Sequence, residues 1–295
     1  MKNTNLLYFI FVSGILLLLS ACEKNAPIYI DQDQSNHDLS TFENQNTTND
    51  GQNSDNKKIF IIGDSTVHNT TTYDGVRVHY GWGDLLSKYM KNPENIYNLA
   101  QPGASTRSYK ERNELEGDGW FHNWYQTKSI IENSDLSNGG YLFIQFGHND
   151  ESDSYDVGDI GTLPGRGGSY YYVHLKSYIQ AARSYNLTPV LITPVERMIK
   201  NQGEELVYSH KTSLGDYANT VKMLAQDTGT LLLDLQQISW EKFNQYSDTK
   251  ALQETFGYDD VEHFSYEGAN QVASWVRNLV CNSGDDVLCG EFIEY

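Results

Sequence analysis

Four residues of this sequence have polar side chains that together could carry out nucleophilic catalysis, and they lie in three short motifs. Ser65 belongs to Gly-Asp-Ser-Thr, Asn149 belongs to Gly-His-Asn-Asp, and Asp260 and His263 are the two ends of Asp-Val-Glu-His. A serine hydroxyl is a poor nucleophile at neutral pH unless a nearby base takes its proton, and the unperturbed pKa of histidine suits that role. A carboxylate can fix the tautomer of the imidazole and favour its protonated form. The motifs therefore predict Ser65 as nucleophile, His263 as base and Asp260 as the orienting acid of a serine esterase.

A second requirement of this chemistry is a set of hydrogen-bond donors. Attack on a carbonyl carbon places negative charge on the carbonyl oxygen, and that charge needs donors aimed at it. The backbone N–H groups of Ser65 and Gly103 and the side-chain amide of Asn149 could supply three. We therefore expect these three residues to form an oxyanion hole.

The elements that must position these residues are visible as apolar runs. Runs bounded by polar residues, glycine or proline predict five strands, at 59–62, 95–99, 141–146, 189–195 and 230–235. Stretches with helical spacing lie among and after them, within 175–185, 214–225 and 269–280. This alternation predicts an α/β fold, a three-layer α/β/α sandwich with a central, mostly parallel, five-stranded sheet. Because ligands bind outside the carboxyl ends of such strands, Ser65, Gly103 and Asn149 should converge on one edge.

These motifs resemble those of the SGNH, or GDSL-type, hydrolase superfamily. Its four signature residues correspond to Ser65, Gly103, Asn149 and His263, and the resemblance covers residues 58 to about 280. It implies a flavodoxin-like α/β fold and a serine acyl-enzyme mechanism that uses neither a metal nor an organic cofactor.

The resemblance narrows to the rhamnogalacturonan acetylesterase-like branch. The segments that carry it are 81–83, 105–108, 146–150, 193–194 with Arg197, and 263–265. That branch removes acetyl groups from pectic or related plant-wall polysaccharides, so the implied partner is an acetylated polysaccharide or oligosaccharide. Two positions depart from the pattern: Ala104 stands where relatives often carry arginine, and Glu262 stands where they often carry threonine. These departures leave the polysaccharide open.

Two further residues are candidate substrate contacts, His148 beside Asn149 and Arg197 after a strand end. The alternatives are that His148 braces the loop holding Asn149 and that Arg197 is a solvated or salt-bridged side chain. Asp64 and Asp150 are expected to organise their loops as hydrogen-bond acceptors. The other histidines have no metal-binding spacing, and the acidic run after Asn149 lacks the spacing of an EF-hand, so no metal site is predicted.

The N-terminus predicts export. A lysine and an apolar stretch shorter than the ~20 residues of a membrane span precede Leu-Ser-Ala-Cys, which resembles a bacterial lipobox ending at Cys22. We expect a lipoprotein signal peptide at 1–21, a disordered polar tether at 22–56 and one esterase domain at 57–295. The protein would then be an exported bacterial lipoprotein, anchored to the membrane through Cys22, periplasmic or on the cell surface. The alternative is an ordinary cleaved signal with an incidental cysteine.

Charge and cysteine content narrow the partners and the compartment. The net charge of −18 argues against nucleic acid, which requires clustered lysine and arginine. Cys281 and Cys289 are close enough in sequence for a local disulfide in an exported protein, although two free thiols are the alternative.

Together these features favour a membrane-tethered carbohydrate esterase that hydrolyses O-acetyl groups from pectin-like or rhamnogalacturonan-like polysaccharide. The alternatives are another SGNH esterase, such as an acetylxylan esterase, lipase or thioesterase, or a non-catalytic glycan-binding lipoprotein. The polar loops 67–80 and 151–172 argue against a lipase, because a long acyl chain requires an apolar pocket.

Overall fold

The computed structural model of the protein describes residues 56–71, 78–111, 123–151, 170–199, 213–257 and 260–294. The predicted signal peptide, Cys22 and the tether up to residue 55 lie outside these ranges, as do most of loop 151–172 and six residues of loop 67–80. The predicted domain boundaries and lipidation therefore stay predictions.

The strands, in chain order, are β1 (Lys58–Gly63), β2 (Thr70–Thr71), β3 (Val78–His79), β4 (Ile96–Asn98), β5 (Gly140–Gln145), β6 (Leu187–Ile192) and β7 (Leu231–Leu233). Five of them form one sheet in the order β4-β1-β5-β6-β7, and every pairing in it is parallel. Each predicted apolar run overlaps one of these five strands. The predicted parallel five-stranded sheet is confirmed.

The helices are α1 (Trp82–Leu86), α2 (Thr106–Glu111), α3 (Trp124–Glu132), α4 (His148–Glu151), α5 (Tyr170–Ser184), α6 (Ser213–Thr228), α7 (Leu235–Phe243), α8 (Thr249–Thr255), α9 (Tyr266–Cys281) and α10 (Asp286–Gly290). Two short 3₁₀ turns cover Ser87–Tyr89 and Pro93–Asn95. Within the described ranges, none of the helices has the length and apolar content that a bilayer crossing requires.

Helices cover both faces of the sheet with their apolar sides. Ile59 and Ile61 of β1 pack in a buried cluster with side chains from α1, α7 and α9. Phe60 and Ile62, which point to the opposite face, pack in a second cluster with α3, α5 and α6. Because successive side chains of a strand alternate between faces, a strand that is buried throughout requires cover on both sides. The predicted three-layer sandwich is therefore confirmed.

The direction in which successive strands are added to the sheet reverses at β1. The chain pairs β4 on one side of β1 and then β5 on the other, and ligands bind in the crevice that such a reversal opens. Ser65 follows β1, Gly103 follows β4 and Asn149 follows β5. The residues predicted for the nucleophile and oxyanion hole thus lie beyond the ends of the three strands that flank the crevice.

Helix α9 fixes the segment that carries the histidine of the third motif. Ser265 caps the helix, because its hydroxyl accepts a 3.0 Å hydrogen bond from the Gly268 N–H. A Cβ at Gly268 would lie 2.0 Å from the carbonyl oxygen of Phe256, so only glycine allows this close approach. The apolar face of α9 packs against the sheet and α1. His263, two residues before the cap, is consequently held close to the body of the domain.

The structure also bears on two predictions from the sequence, the Cys281–Cys289 disulfide and the long loop at 67–80. The structure joins Cys281, at the end of α9, to Cys289 in α10 by a disulfide. Residues 67–80, expected as a long loop, contain the antiparallel pair β2 and β3. Two-residue strands are too short to produce an apolar run or a recognisable alternation, which explains why the sequence pattern did not show them.

Candidate active site

Ser65, His263 and Asp260 form one hydrogen-bonded chain. The Nε2 atom of His263 lies 2.9 Å from the hydroxyl oxygen of Ser65, and its Nδ1 atom lies 2.7 Å from Oδ2 of Asp260. Ser65 is only 7% exposed, whereas the other two side chains are partly exposed. The separations match those of a nucleophile, its base and the group that orients the base. The structure therefore brings together three residues that are up to 198 positions apart in sequence.

The turn that presents Ser65 is fixed by hydrogen bonds on both sides of the serine. Oδ1 of Asp64 accepts from the backbone N–H of Thr66 at 3.0 Å and from its hydroxyl at 2.7 Å. The Thr66 hydroxyl accepts in turn from Nε2 of Gln145, whose Oε1 atom accepts from the Trp82 ring N–H at 2.8 Å. Asp64 is fully buried, and its role as a loop-organising acceptor agrees with the prediction.

The loop that carries Asp260 and His263 is similarly constrained. Oδ1 of Asp260 accepts from the backbone N–H groups of Glu262, at 2.8 Å, and His263, at 2.7 Å. An aspartate that binds the N–H groups two and three residues on holds its own loop in a tight turn. Within this turn, the carbonyl of Val261 accepts a 2.7 Å hydrogen bond from the N–H of Met198. This bond ties the loop to the segment after β6. Both oxygens of Asp260 are thus engaged, one in the turn and one with the imidazole.

The Asp260 carboxylate and the His263 ring shift each other's pKa. Burial alone would lower the pKa of His263, but the hydrogen bond and the charge of Asp260 outweigh it, so this pKa lies above the ordinary 6.5. Burial alone would raise the pKa of Asp260, but the hydrogen bonds from the His263 ring and backbone outweigh it and hold that pKa well below 3.8. An ionised carboxylate beside the ring makes His263 a stronger proton acceptor than a free imidazole.

Asn149 and Gly103 lie in neighbouring segments, Asn149 after β5 and Gly103 after β4. Asn149, in α4, donates from Nδ2 to the carbonyl oxygen of Ala104 at 3.2 Å. Gly103 has φ +75°, a left-handed conformation that favours glycine, and a Cβ there would meet no atom within 4 Å. Oδ1 of Asp150 accepts from the N–H of Thr106 at 2.9 Å, which joins the same two loops again. Backbone shape, rather than crowding, explains the glycine at position 103.

His148 and Arg197, the candidate substrate contacts, both face carboxylates. The Nδ1 atom of His148 lies 2.6 Å from Oε1 of Glu262, and its Nε2 atom lies 2.9 Å from the carbonyl oxygen of Val195. Arg197 pairs with Glu151 and approaches Glu262 at 3.7 Å. These positions match the alternatives of a loop-bracing histidine and a salt-bridged arginine, whereas contact of either with substrate stays a prediction. The sequence did not single out the roles of Glu151 or Glu262; the one signal was that Glu262 departs from the usual threonine.

Comparison with known proteins agrees with the fold and with the motifs that carry the site. The model of the GDSL-like lipase/acylhydrolase family matches residues 59–276. The chain belongs to this family, and it is an esterase of the SGNH type. Within the match lie all four predicted signature residues, from Ser65 to His263.

Two relatives from Bacillus subtilis (strain 168) match most of this GDSL-family chain. A probable rhamnogalacturonan acetylesterase, YesY, is 30% identical over 229 residues, which are 77% of this chain and 93% of the relative. The rhamnogalacturonan acetylesterase RhgT is 28% identical over 231 residues, which are 74% of this chain and 87% of the relative.

Solved structures share the fold. Protein YXIM from Bacillus subtilis superposes with a TM-score of 0.60 at 20% identity, covering 78% of this chain and 57% of that one. The present chain thus spans little more than half of that protein. A catalytic mutant of Axe2, an acetylxylan esterase from Geobacillus stearothermophilus, superposes with a TM-score of 0.50 at 18% identity, covering 76% and 93%.

In this GDSL-family site, a second imidazole lies against the first. The ring of His79 stacks on that of His263, with centroids 4.5 Å apart and planes 8° from parallel. With Asp260, these histidines are a group whose possible metal-ligand atoms lie within 4.8 Å of one another. A histidine binds a metal in the plane of its ring, and two parallel, stacked planes do not meet at a common ion. The geometry therefore fits ring stacking better than metal binding.

Proposed function

We propose that the protein hydrolyses O-acetyl groups from a pectin-like or rhamnogalacturonan-like polysaccharide through an acetyl intermediate on Ser65. The observation that carries the proposal is the chain from Ser65 through His263 to Asp260, with separations of 2.9 and 2.7 Å. The names of the two Bacillus subtilis relatives support the acetyl group and the substrate class. The chemistry requires no metal or organic cofactor.

The geometry supports a two-step reaction. Ser65 Oγ attacks the acetyl carbonyl carbon while Nε2 of His263 takes the hydroxyl proton. The resulting oxyanion is bound by the N–H groups of Ser65 and Gly103 and by Nδ2 of Asn149, whose second hydrogen is directed away from its bond to Ala104. The tetrahedral intermediate collapses, and the sugar hydroxyl leaves with the proton from His263. Water, activated by the same base, then releases acetate and regenerates the serine.

Export as a lipoprotein is part of the proposal. The supporting observations are the lipobox-like segment ending at Cys22 and the disulfide between Cys281 and Cys289, which is typical of proteins outside the cytoplasm. Expression of the full chain in a bacterial host, with labelling by a radioactive fatty acid, tests the anchor. Incorporation into the parent protein and its loss in Cys22→Ala would support it, whereas equal labelling of both would contradict it.

The test of activity is release of acetate from purified protein across a panel of acetylated rhamnogalacturonan, acetylated pectin and acetylated xylan. We expect the highest kcat/KM on rhamnogalacturonan, and loss of several orders of magnitude in Ser65→Ala. Ser184→Ala, which changes an exposed serine at the end of α5, is the matched control and should keep full activity. Full activity in Ser65→Ala would overturn the mechanism, and turnover of long-chain esters alone would overturn the substrate class.

A further inference from the structure

Four charged side chains form a line behind the proposed site, alternating in sign: Glu151, Arg197, Glu262 and His148. Arg197 pairs with Glu151 through Nη1 and approaches Oε1 of Glu262 through Nη2 at 3.7 Å. The same Glu262 oxygen lies 2.6 Å from Nδ1 of His148. The exposed side-chain fraction is 1% for His148 and between 11% and 28% for the other three. We refer to these four residues as the charge line.

The contacts of His148 favour protonation of both ring nitrogens. Its Nε2 atom lies 2.9 Å from the carbonyl oxygen of Val195, which can only accept a hydrogen bond, so Nε2 carries a proton. Oε1 of Glu262 lies 2.6 Å from Nδ1, and a negative charge this close favours the protonated ring, although the contact lacks the geometry of a hydrogen bond. Arg197 on the other side of Glu262 favours the ionised carboxylate. The contacts therefore favour an imidazolium at His148 beside an ionised Glu262.

The electrostatic environment agrees with this assignment. Burial alone would lower the pKa of His148, but the charge of Glu262 and that of Asp64 raise it above 6.5 despite the opposing charge of Arg197. Burial alone would raise the pKa of Glu262, but His148 and Arg197 lower it to about 2. Each charge thus favours the ionised form of its partner.

The charge line joins the two halves of the catalytic apparatus. His148 directly precedes Asn149, the proposed oxyanion donor, and Glu262 directly precedes His263, the proposed base. The two pairs come from segments that follow β5 and precede α9, and Arg197 follows β6.

We propose that Glu262 is a positioning residue, and that its ion pair with His148 fixes the loop of the general base relative to the oxyanion donor Asn149. The proposal rests on the proposed function of Ser65, His263 and Asn149. Loosening the pair leaves each catalytic side chain present but lets the base and the donor move independently. A misplacement of about 1 Å can cost about 100-fold in rate, so the effect should appear in kcat.

The first test is Glu262→Gln, assayed with a small acetyl ester and with the acetylated polysaccharide. We expect kcat to fall about 10- to 100-fold on both substrates while KM changes little, because the proposed role is to position the base and not to bind substrate. Glu267→Gln, an equal change of charge at an exposed position in the first turn of α9, is the matched control and should resemble the parent. Thermal unfolding is measured for all proteins, and Glu262→Asp, which keeps the charge but shortens the side chain, replaces Gln if that variant does not fold.

The second test is a double-mutant cycle with Asn149→Ala, measured above the pH at which His263 titrates. If Glu262 acts through the placement of Asn149, the double variant should be within about twofold of Asn149→Ala alone. Multiplication of the two losses would overturn the proposal, as would a Glu262→Gln variant with the kcat of the parent.

The pH profile supplies a readout that a merely structural role would not move. The groups facing the pair are Asp64, Arg197 and His263, and the negative charge of Glu262 raises the pKa of His263. Glu262→Gln should therefore move the acid limb of kcat/KM to lower pH, whereas Glu262→Asp should leave it in place. An unmoved limb in Glu262→Gln would contradict the inference. If Ser65→Ala were fully active, the proposed function would fail first; an inactive Ser65→Ala beside a normal Glu262→Gln would defeat the positioning role alone.

Discussion

Replacement of Asp260 by asparagine separates the two roles of this carboxylate. Oδ1 of Asp260 accepts from two backbone N–H groups of its own loop, and Oδ2 faces Nδ1 of His263 at 2.7 Å. In Asp260→Asn, the side-chain oxygen can keep both backbone hydrogen bonds, so the turn should survive. The amide nitrogen then faces Nδ1 and requires a lone pair there. The imidazole proton consequently moves to Nε2, which faces Ser65 Oγ and can no longer accept the serine proton.

The expected loss follows from that change of tautomer. A triad that keeps its geometry but holds the wrong tautomer typically loses about 10⁴ in kcat. Asp260 is partly exposed, so solvent weakens its effect on the imidazole, and we expect a loss of about 10³ to 10⁴ in kcat. At 1.36 kcal/mol for each factor of ten, this is about 4 to 5.5 kcal/mol of transition-state stabilisation. The pKa of His263 should also fall, because the charge that raises it is gone. The remaining activity should then show its acid limb at lower pH than that of the parent.

The assay is the initial rate of acetate release between roughly pH 4 and pH 9, a range that spans the titration of a histidine whose pKa is raised in the parent and lowered in the variant. Thermal unfolding at pH 7 accompanies it and should show little change. Asp248→Asn is the matched control: Asp248 caps α8 by accepting from the Ala251 N–H, and asparagine caps helices as well as aspartate does. A well-folded Asp260→Asn variant that keeps more than a tenth of the parental kcat would refute the argument that this carboxylate sets the tautomer.

Two further substitutions test the oxyanion side of the site. Asn149→Ala should lower kcat by about 10²–10³ with a nearly unchanged KM, as loss of one oxyanion donor does, and steady-state kinetics that show a changed KM alone would contradict this role. Gly147→Ala should destabilise the fold by about 1–3 kcal/mol in urea unfolding, because φ is +151° and the new Cβ would lie 2.9 Å from Cγ of Pro194. Gly229→Ala, with φ +58° and no atom within 4 Å of its Cβ, is the comparison for a left-handed glycine without crowding and should lose less, whereas an equal or larger loss there would contradict the expected cost at Gly147.

The sheet and the edge that carries the site were predictable because both depend on local patterns. Each apolar run is long enough to be recognised as a buried strand, and parallel strands place their carboxyl ends on one edge whatever their order. Ser65 and Asn149 follow two such runs directly, so their convergence required no knowledge of the loops. The turns at Asp64 and Asp260 could also be predicted, because an aspartate that accepts from a backbone N–H two or three residues later forms a local arrangement.

The partners of the charged residues were not predictable in the same way. Arg197 follows a strand end and His148 precedes Asn149, which made both candidate substrate contacts, but their charged groups face Glu151 and Glu262. Glu262 and His148 are 114 positions apart, so sequence spacing does not indicate whether Glu262 faces His148 or solvent. Pairing of this kind depends on which strands are neighbours, and the order β4-β1-β5-β6-β7 is a property of the whole fold. Long-range ion pairs therefore become visible only once the topology is known.

His79 shows what the short hairpin adds to the site. The strands β2 and β3 lie within residues 67–80, which the sequence predicted as a polar loop, yet His79 at the end of β3 stacks on His263 at 4.5 Å. The hairpin is held there by the backbone, since the N–H of Tyr80 donates to the carbonyl of Phe264 at 3.0 Å. Hydrogen bonds to Asp260 and Ser65 restrain the ring of His263 within its plane, but they permit it to tilt about the line between its two nitrogens. A parallel ring against its face opposes that tilt. The loop beside the crevice thus takes part in orienting the base, a role that composition and length alone do not reveal.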